Sequence, residues 1–460
     1  MIDTHAHLDF PQYDGDRENL IKDSFEKGLE AIINIGTDLE TSQKSLNLAN
    51  RYDAIYTTIG VHPHDSKNVP SDYMNRLRAL AAGDYLKKIV GVGEIGLDYY
   101  RDLSPRDIQK RVFREQLELA KDLKLPVVVH IREAIQDSMQ ILRESGINRG
   151  VLHSFPGSKE EAKAAIEMGF YISFAGPITY PKSNKAEVAE SLPLSRILVE
   201  TDSPYLTPQT FRGQRNKPLY VRYVIEKLSS VFSPYTFNDI ERITSLNARQ
   251  LFNLPIDKIG KIVYKIRNSL YVNLTDRCTN NCDFCLRGGP SKGYVSGHYL
   301  YLKSEPNVND IIDAIAKERD FNEIVFCGLG EPTIRLKELL EVASAIKRSG
   351  KSYPIRLNTN GQGSLINKLD LPSKLIGLVD VVSVSLNAHN ADTYLRLCKP
   401  DKGKEAYEAV IKFIGDCVRT GIKTEASIVD LPVVDIKACR EITDKLGVSL
   451  RVRQYYKGEI

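Results

Sequence analysis

The chain has 460 residues, 42% hydrophobic and 27% charged, with 63 Lys+Arg against 59 Asp+Glu. That length is too great for one ordinary core and points to two or three domains, and the near balance of charge excludes a dedicated nucleic-acid coat. No basic segment leads into an apolar run and no apolar stretch reaches spanning length, so a soluble, cytoplasmic protein is expected. From Met1 to about Pro255, short apolar and β-branched runs alternate with amphipathic helical segments. Strands are expected over residues 2–8, 31–36, 55–61, 89–97, 126–131, 150–155, 171–175 and 197–200. Eight strand-helix units imply a closed parallel barrel, whose catalytic groups collect at the C-terminal strand ends.

The ionisable residues fall at those ends. His5 and His7 alternate on the first strand and so share a face, which lets two imidazoles chelate one ion. His62 and His64 follow the third strand, Glu94 lies on the fourth, His130 on the fifth, His153 on the sixth and Asp202 after the eighth. A lone histidine is more often a core residue than a ligand. Six of the protein's eight, gathered at one end with two carboxylates, point to a metal centre.

The segments Asp3-Thr4-His5-Ala6-His7, Gly60-Val61-His62-Pro63-His64, Gly93-Glu94-Ile95-Gly96-Leu97-Asp98-Tyr99, His130-Ile131-Arg132, His153-Ser154-Phe155, Glu200-Thr201-Asp202-Ser203-Pro204-Tyr205-Leu206 and Arg212-Gly213-x-x-Asn216-x-Pro218 resemble the TatD family of metal-dependent DNases. The resemblance implies an amidohydrolase-type TIM barrel. It also implies one divalent ion held by His5, His7, Glu94 and Asp202, and a second by Glu94, His130 and His153, with Glu94 bridging. Paired ions clamp the oxygens of a phosphodiester and acidify a bridging water, from which Asp202 could take the proton. His62 and His64 are read as groups that hold the scissile phosphate or protonate the leaving oxygen, and Arg132 and Arg212 as phosphate partners or surface residues. The donor set does not choose among magnesium, manganese, zinc and iron.

Residues 255–264, with Pro255 and Gly260 as breakers, are expected to link residues 1–254 to a second domain over 265–460. All seven cysteines fall after position 277, three of them within eight residues. That layout suggests a reducing compartment and a metal or cluster site, not a disulfide framework. An expected strand over 270–275 runs directly into Cys278-x3-Cys282-x2-Cys285. Iron-sulfur clusters usually take four thiolates, so three leave one iron open to a chelating small molecule.

This spacing resembles the signature of the radical S-adenosylmethionine superfamily, and the resemblance implies a 4Fe-4S cluster on Cys278, Cys282 and Cys285. Phe284 would lie near the adenine. Gly328-Leu329-Gly330-Glu331-Pro332 looks like the methionine-binding segment, where glycines admit the ligand and Glu331 accepts from its amino group. Asn358-Thr359-Asn360-Gly361 ends the third strand, and Ser385 and Asn387 look like the ribose-contacting pair. Further strands over 423–429 and 449–455 make six, an open partial (β/α)6 barrel. Cys327, Cys398, Cys417 and Cys439 are read as buried hydrophobes with no auxiliary cluster, Cys327 standing apart because it borders the glycine segment.

The sequence thus describes a two-domain α/β fusion. The first half is read as a two-metal hydrolase, a deoxyribonuclease by resemblance, with nucleic acid as partner. The second is read as an enzyme that cleaves S-adenosylmethionine reductively to a 5'-deoxyadenosyl radical, with an external donor such as flavodoxin or ferredoxin. Two rivals are weighed: a hydrolase of esters or amides, such as an aminoacyl-tRNA deacylase, and a chain in which one barrel only binds or scaffolds.

Overall fold

The computed structural model describes residues 1–83, 87–255, 258–288, 292–350 and 353–455. The chain divides into two compact units, Met1–Ile256 and Asp257–Ile460. Ile256 and Asp257, in the stretch expected as a linker, lie outside the described residues.

The first unit is an eight-stranded parallel sheet in sequence order: β1 (Ile2–Ala6), β2 (Ala31–Ile35), β3 (Ile55–Ile59), β4 (Ile89–Asp98), β5 (Val127–Arg132), β6 (Gly150–Leu152), β7 (Tyr171–Phe174) and β8 (Ile197–Val199). The residues after β8 return to β1 through a parallel bridge between Ala6 and Ser203, and this contact closes the barrel. His7 N–H donates to the Ser203 carbonyl at 2.8 Å and Asp202 N–H to the His5 carbonyl at 2.8 Å. Beneath them, Asp3 accepts from the Thr201 amide at 2.9 Å and hydroxyl at 2.6 Å, while burial pushes its carboxyl up to about 8. Closure thus fixes His5, His7 and Asp202 together.

Two strands depart from regular register, β1 between Asp3 and Ala6 and β4 between Val92 and Ile95. Such irregularities re-aim side chains, and these two flank His5 and Glu94. Gly93 allows the close approach in β4: a Cβ there would stand 2.6 Å from Val128 Cβ. Ile33, Ile35, Val128, Val151 and Leu198 pack with Leu251 and Phe252 of the helix Phe237–Phe252, a buried apolar cluster contributed by strands and the last helix of the unit.

The second unit carries β9 (Val263–Ile266), β10 (Ser269–Val272), the hairpin of β11 (Tyr294–Val295) and β12 (His298–Tyr299), β13 (Glu323–Phe326), β14 (Ile355–Thr359), β15 (Val381–Ser385), β16 (Lys423–Asp430) and β17 (Ser449–Gln454). The main sheet runs β17-β16-β15-β14-β13-β10-β9, with β9 antiparallel to β10 and the other six strands parallel. All six expected strands are present. The strand β9 was not expected, and it begins inside the stretch read as linker.

These parallel strands alternate in character, although parallel strands buried on both faces are usually continuously apolar. Leu357, Val382, Val384, Ala426 and Ile428 join the helix-packed core. The opposite parity carries Arg356, Asn358, Ser383, Ser385, Glu425, Ser427, Arg451 and Arg453. A sheet face this polar is built to meet something other than helices. No helix among the described residues is long and apolar enough to cross a membrane.

In the first unit, Asn34 ties β2 to the chain leaving β1. Its Nδ2 donates to Asp9 at 2.8 Å and to Ser45 Oγ at 2.6 Å, and its Oδ1 accepts the Leu8 amide. Asn34→Ala takes the acceptor from the buried Leu8 amide and a donor from each of Asp9 and Ser45, which keep their own contact at 3.2 Å, and is expected to cost about 2 kcal/mol, read as a lowered midpoint in urea unfolding of the full chain.

Candidate metal centre and cysteine site

At the C-terminal end of the barrel, Glu94 is 4% exposed and divides its two oxygens between two sets of imidazoles. Oε2 lies 3.3 Å from His5 Nε2 and 3.8 Å from His7 Nε2. Oε1 lies 2.8 Å from His130 Nδ1, 3.0 Å from His153 Nε2 and 3.6 Å from His62 Nε2. Asp202 Oδ1 faces the first set, 3.6 Å from His5 and 3.3 Å from His7. Three ligand trios have donor atoms within 4.8 Å of one another: His5-His7-Glu94, His5-His153-Asp202 and His62-Glu94-His130.

The electrostatics follow from burial and mutual charge. Burial alone would raise Glu94, but His153, His62 and His5 hold its carboxyl well below the usual range. Burial depresses His5 and, more strongly, His62, so both are neutral imidazoles with lone pairs to offer. Against the same burial, Glu94 and Glu200 raise His153 well above its ordinary value, and Asp98 and Glu94 raise His130. Both ring nitrogens of His5 are buried without a hydrogen-bond partner. An orphaned imidazole between two carboxylates is what a metal site looks like without its ion, and the donor set fits divalent cations.

Outer partners aim the rings. His7 Nδ1 is 3.2 Å from the Ile35 carbonyl, which directs Nε2 toward Glu94 and Asp202. His153 Nδ1 lies 3.3 Å from Glu200, itself held by the Ser154 amide at 2.6 Å and Ser173 Oγ at 2.7 Å. Asp98 Oδ2 stands between His64 Nε2 at 2.9 Å and His130 Nε2 at 3.1 Å, while its Oδ1 accepts the Tyr100 and Arg101 amides. Asp98 and Glu200 both lie within the TatD-like segments, where neither was expected to play a part. A second carboxylate close in sequence to each of Glu94 and Asp202 is the signal that could have found them.

One expectation changes. His62 was placed outside the ligands as a phosphate-holding group, but its Nε2 points at Glu94 Oε1 inside one of the three trios. His64 does stand outside them, partly exposed beside Asp98. Arg132 and Arg212 are exposed and touch neither carboxylate; each lies over a tyrosine, Arg132 at 3.9 Å from the centre of the Tyr100 ring and Arg212 at 4.9 Å from that of Tyr180.

In the second unit, Cys278, Cys282 and Cys285 are free thiols on the loop leaving β10. Asn280 N–H donates to Cys278 Sγ at 3.4 Å and Arg287 N–H to Cys285 Sγ at 3.5 Å. The loop is sewn to the last turn of the helix Ala391–Cys398 and the segment just after it: Asn281 N–H to Cys398 O, 2.9 Å; Asp283 N–H to Leu397 O, 3.0 Å; Asp401 N–H to Thr279 O, 2.8 Å. Asn280 also reaches Tyr394 Oη at 3.0 Å and Gln362 at 2.7 Å. Burial and then Glu331 push the Cys278 thiol up to about 12, so a strong Lewis acid is needed to draw off its proton. Arg287, unassigned in the sequence, brings a guanidinium among all three sulfurs.

Two further expectations meet different geometry. Gly330 and Glu331 donate their amides to the Thr275 carbonyl at 3.0 Å and the Arg277 carbonyl at 2.8 Å. A Cβ on Gly330 would stand 2.3 Å from the Arg277 oxygen, so this glycine admits the cysteine loop itself. Glu331 accepts four hydrogen bonds: Oε1 from Thr333 N–H, Thr333 Oγ1 and Thr359 Oγ1, and Oε2 from Asn360 N–H at 2.6 Å. It braces two strand ends, and Oε2, with a single donor, keeps one acceptor site open. By contrast, Asn358 Oδ1 and Asn387 Oδ1 are buried without partners, open acceptors that suit a bound polar ligand. Phe284 packs against the core edge, Asn360 Nδ2 lies 3.9 Å from Cys278 Sγ, and Ser385 is half-buried at the end of β15. Cys398, read as a plain hydrophobe, sits beside Cys282, whose thiol is pushed up by hydrogen bonding to it and by burial. Cys327 faces Asn358 and Arg453.

The profile of the family described as TatD related DNase matches residues 2–253. The chain belongs to this family. The profile of the Radical SAM superfamily matches residues 272–446, so the TatD hydrolase is fused to a radical S-adenosylmethionine domain. A metal-dependent hydrolase of Bacillus subtilis, YabD, is 42% identical over 257 residues, covering 55% of this chain and 99% of the relative. The 3'-5' ssDNA/RNA exonuclease TatD of Salmonella typhimurium is 30% identical over 262 residues, covering 55% of this chain and 99% of its own length. Among solved structures, the TatD homologue YjjV of Escherichia coli aligns with a TM-score of 0.53 and 33% identity, over 55% of this chain and 98% of that one. Both halves belong to enzyme families that imply metals in the first and, in general, a cluster with S-adenosylmethionine in the second.

Gly330→Ala is expected to unseat the cysteine loop. Alkylation of Cys278, Cys282 and Cys285 in the native chain, followed by mass spectrometry, should become faster, with divalent-metal binding by the first unit unchanged.

Proposed function

We propose that the first unit hydrolyses phosphodiester bonds of single-stranded nucleic acid with two divalent cations. His5, His7, Glu94 and Asp202 hold one, and Glu94, His130 and His153 the other, with His62 as a further donor on that side. The observation that carries the reading is the split of Glu94, one oxygen to each set of imidazoles. Bound there, the cations supply Lewis acidity, lowering the pKa of an attacking water and offsetting charge on the phosphodiester. Asp202, kept ionised by His7 and His5 although burial opposes it, is placed to accept the water's proton. His64, beside Asp98 and partly exposed, is placed to protonate the leaving oxygen.

The loops after the strands favour nucleic acid over a simple ester or amide. Phe10 stacks on His7 at 4.6 Å between centroids, and Tyr205, 49% exposed, meets Phe10 edge-on at 6.2 Å. With Tyr100 beneath Arg132 and Tyr180 beneath Arg212, these loops present flat rings and cations, the equipment for stacking bases and pairing phosphates.

For the second unit, we propose that Cys278, Cys282 and Cys285 hold a 4Fe-4S cluster and that Asn358, Ser385 and Asn387 contact S-adenosylmethionine. The two groups together supply one-electron reductive cleavage and hydrogen-atom abstraction, fed by an external donor such as flavodoxin or ferredoxin. The protein's part is to seat the loop, hold Arg287 against the sulfurs and leave open acceptors at the strand ends. No recognised donor is missing from either unit, so a purely scaffolding role for one of them has nothing to support it.

Two experiments test this. With manganese present, the chain should shorten single-stranded DNA. Glu94→Ala should abolish that, and Phe10→Ala or Tyr205→Ala should lower kcat/KM on DNA about tenfold while sparing bis(p-nitrophenyl) phosphate. Release of an aminoacyl ester without any DNA cleavage would sink the nuclease reading. Anaerobically reconstituted and reduced protein should convert S-adenosylmethionine to 5'-deoxyadenosine, and Cys282→Ala should not.

A further inference from the structure

The polar face of the second sheet contains an imbalance of charge. Arg356 on β14 is neutralised, 3.3 Å from Glu323 and 2.7 Å from Glu425. Arg453 on β17 is half-buried and has no such partner: among the described residues no carboxylate pairs with it, and its Nε is buried without a hydrogen bond. Arg451, two residues earlier and therefore on the same face, adds a second cation near it and no anion. A guanidinium N–H buried without an acceptor costs free energy that a folded chain does not otherwise recover.

Its position says what it serves. Arg453 pairs in register with Val429 near the C-terminal end of β16, the end from which the cysteine loop, the glycine segment and Asn387 also emerge from their own strands. Its neighbours across that face include the Cys327 thiol and, at longer range, Cys282. The open acceptors Asn358 and Asn387 lie on β14 and just past β15, whereas Arg453 lies two strands beyond β15, at the sheet edge. The cation is displaced from the residues assigned to the cofactor, yet shares their chamber.

We propose that Arg453, with Arg451 beside it, binds an oxyanion of the second unit's substrate, so that the substrate of the radical reaction carries a phosphate or a carboxylate. The planar guanidinium offers paired N–H donors matched to either group. The two asparagine oxygens offer only acceptors and cannot serve it. This rests on the reading of the polar face as the chamber for S-adenosylmethionine chemistry.

The test uses the full chain, anaerobically reconstituted and saturated with S-adenosylmethionine, in a Glu94→Ala background that silences the first unit. Binding of inorganic phosphate and of succinate is measured by calorimetry in Arg453, Arg453→Lys and Arg453→Gln proteins of equal cluster content. The expected result is that one of the two anions binds, at least about tenfold more weakly in Arg453→Gln and less weakened in Arg453→Lys, with S-adenosylmethionine affinity unchanged. Whichever anion responds identifies the group. Equal binding in all three proteins, or no binding in any, overturns the proposal. A parallel fall in S-adenosylmethionine affinity also overturns it, by assigning the arginine to the cofactor's own carboxylate. Formation of 5'-deoxyadenosine without added substrate reports separately on the underlying reading, because it needs the cluster and cofactor but no anion.

Discussion

The buried carboxylate of Glu94 is the constraint from which the first unit is built. A charge this far from water is tolerated only when opposite charge or donors surround it, and here, among the described residues, five imidazoles and no lysine or arginine stand within 4 Å. Those imidazoles cannot all be protonated, since each raises the cost of charging the next. His153, His130 and His7 are shifted up, and His5 and His62 down. The protons therefore do only part of the work that cations would do. Divalent ions replace an awkward, partly protonated cluster with a fully paired one.

The barrel serves that constraint. Irregular register in β1 and β4 turns His5 and Glu94 toward each other, and the bridge from Ala6 to Ser203 brings Asp202 within reach. The second unit solves a different problem, how to hold a loop of three thiols with almost no secondary structure. Backbone hydrogen bonds to two flanking segments and a buried Asn280-Gln362-Tyr394 network take the place of strands. Rigid seating of this kind places the sulfurs before any cluster arrives.

The strands were legible because β-branched runs set their period. The gathering of histidines around Glu94 was legible because histidines recur at strand ends. What escaped was direction. Nothing in the order of residues says that His62 faces Glu94 while His64 faces Asp98, since both follow β3 within three residues. Glu331 shows the same limit: a carboxylate after two glycines suggests a ligand contact, and nothing in the order of residues says that Thr333, Thr359 and Asn360 already donate to it. Gly330 was assigned to a ligand when its real neighbour is the chain at Thr275 and Arg277. Arg453 carries no motif, and only the alternation of residue character along β14 to β17 points to it. That same alternation marks a polar sheet face.

The two units also divide the chemistry of their donors. All seven cysteines lie in the second, and six of eight histidines in the first, with only nitrogen and oxygen donors around Glu94. Thiolates prefer soft metals and iron-sulfur assemblies, whereas imidazole and carboxylate accept harder divalent ions. One chain exposed to one pool of iron can therefore load two different centres without either set capturing the other's metal. A single thiol near Glu94 would bias that site toward zinc or copper, and a carboxylate among the three sulfurs would compete for the open iron. Segregation of donors by unit thus keeps each ligand set chemically uniform, independent of whether the two reactions are coupled.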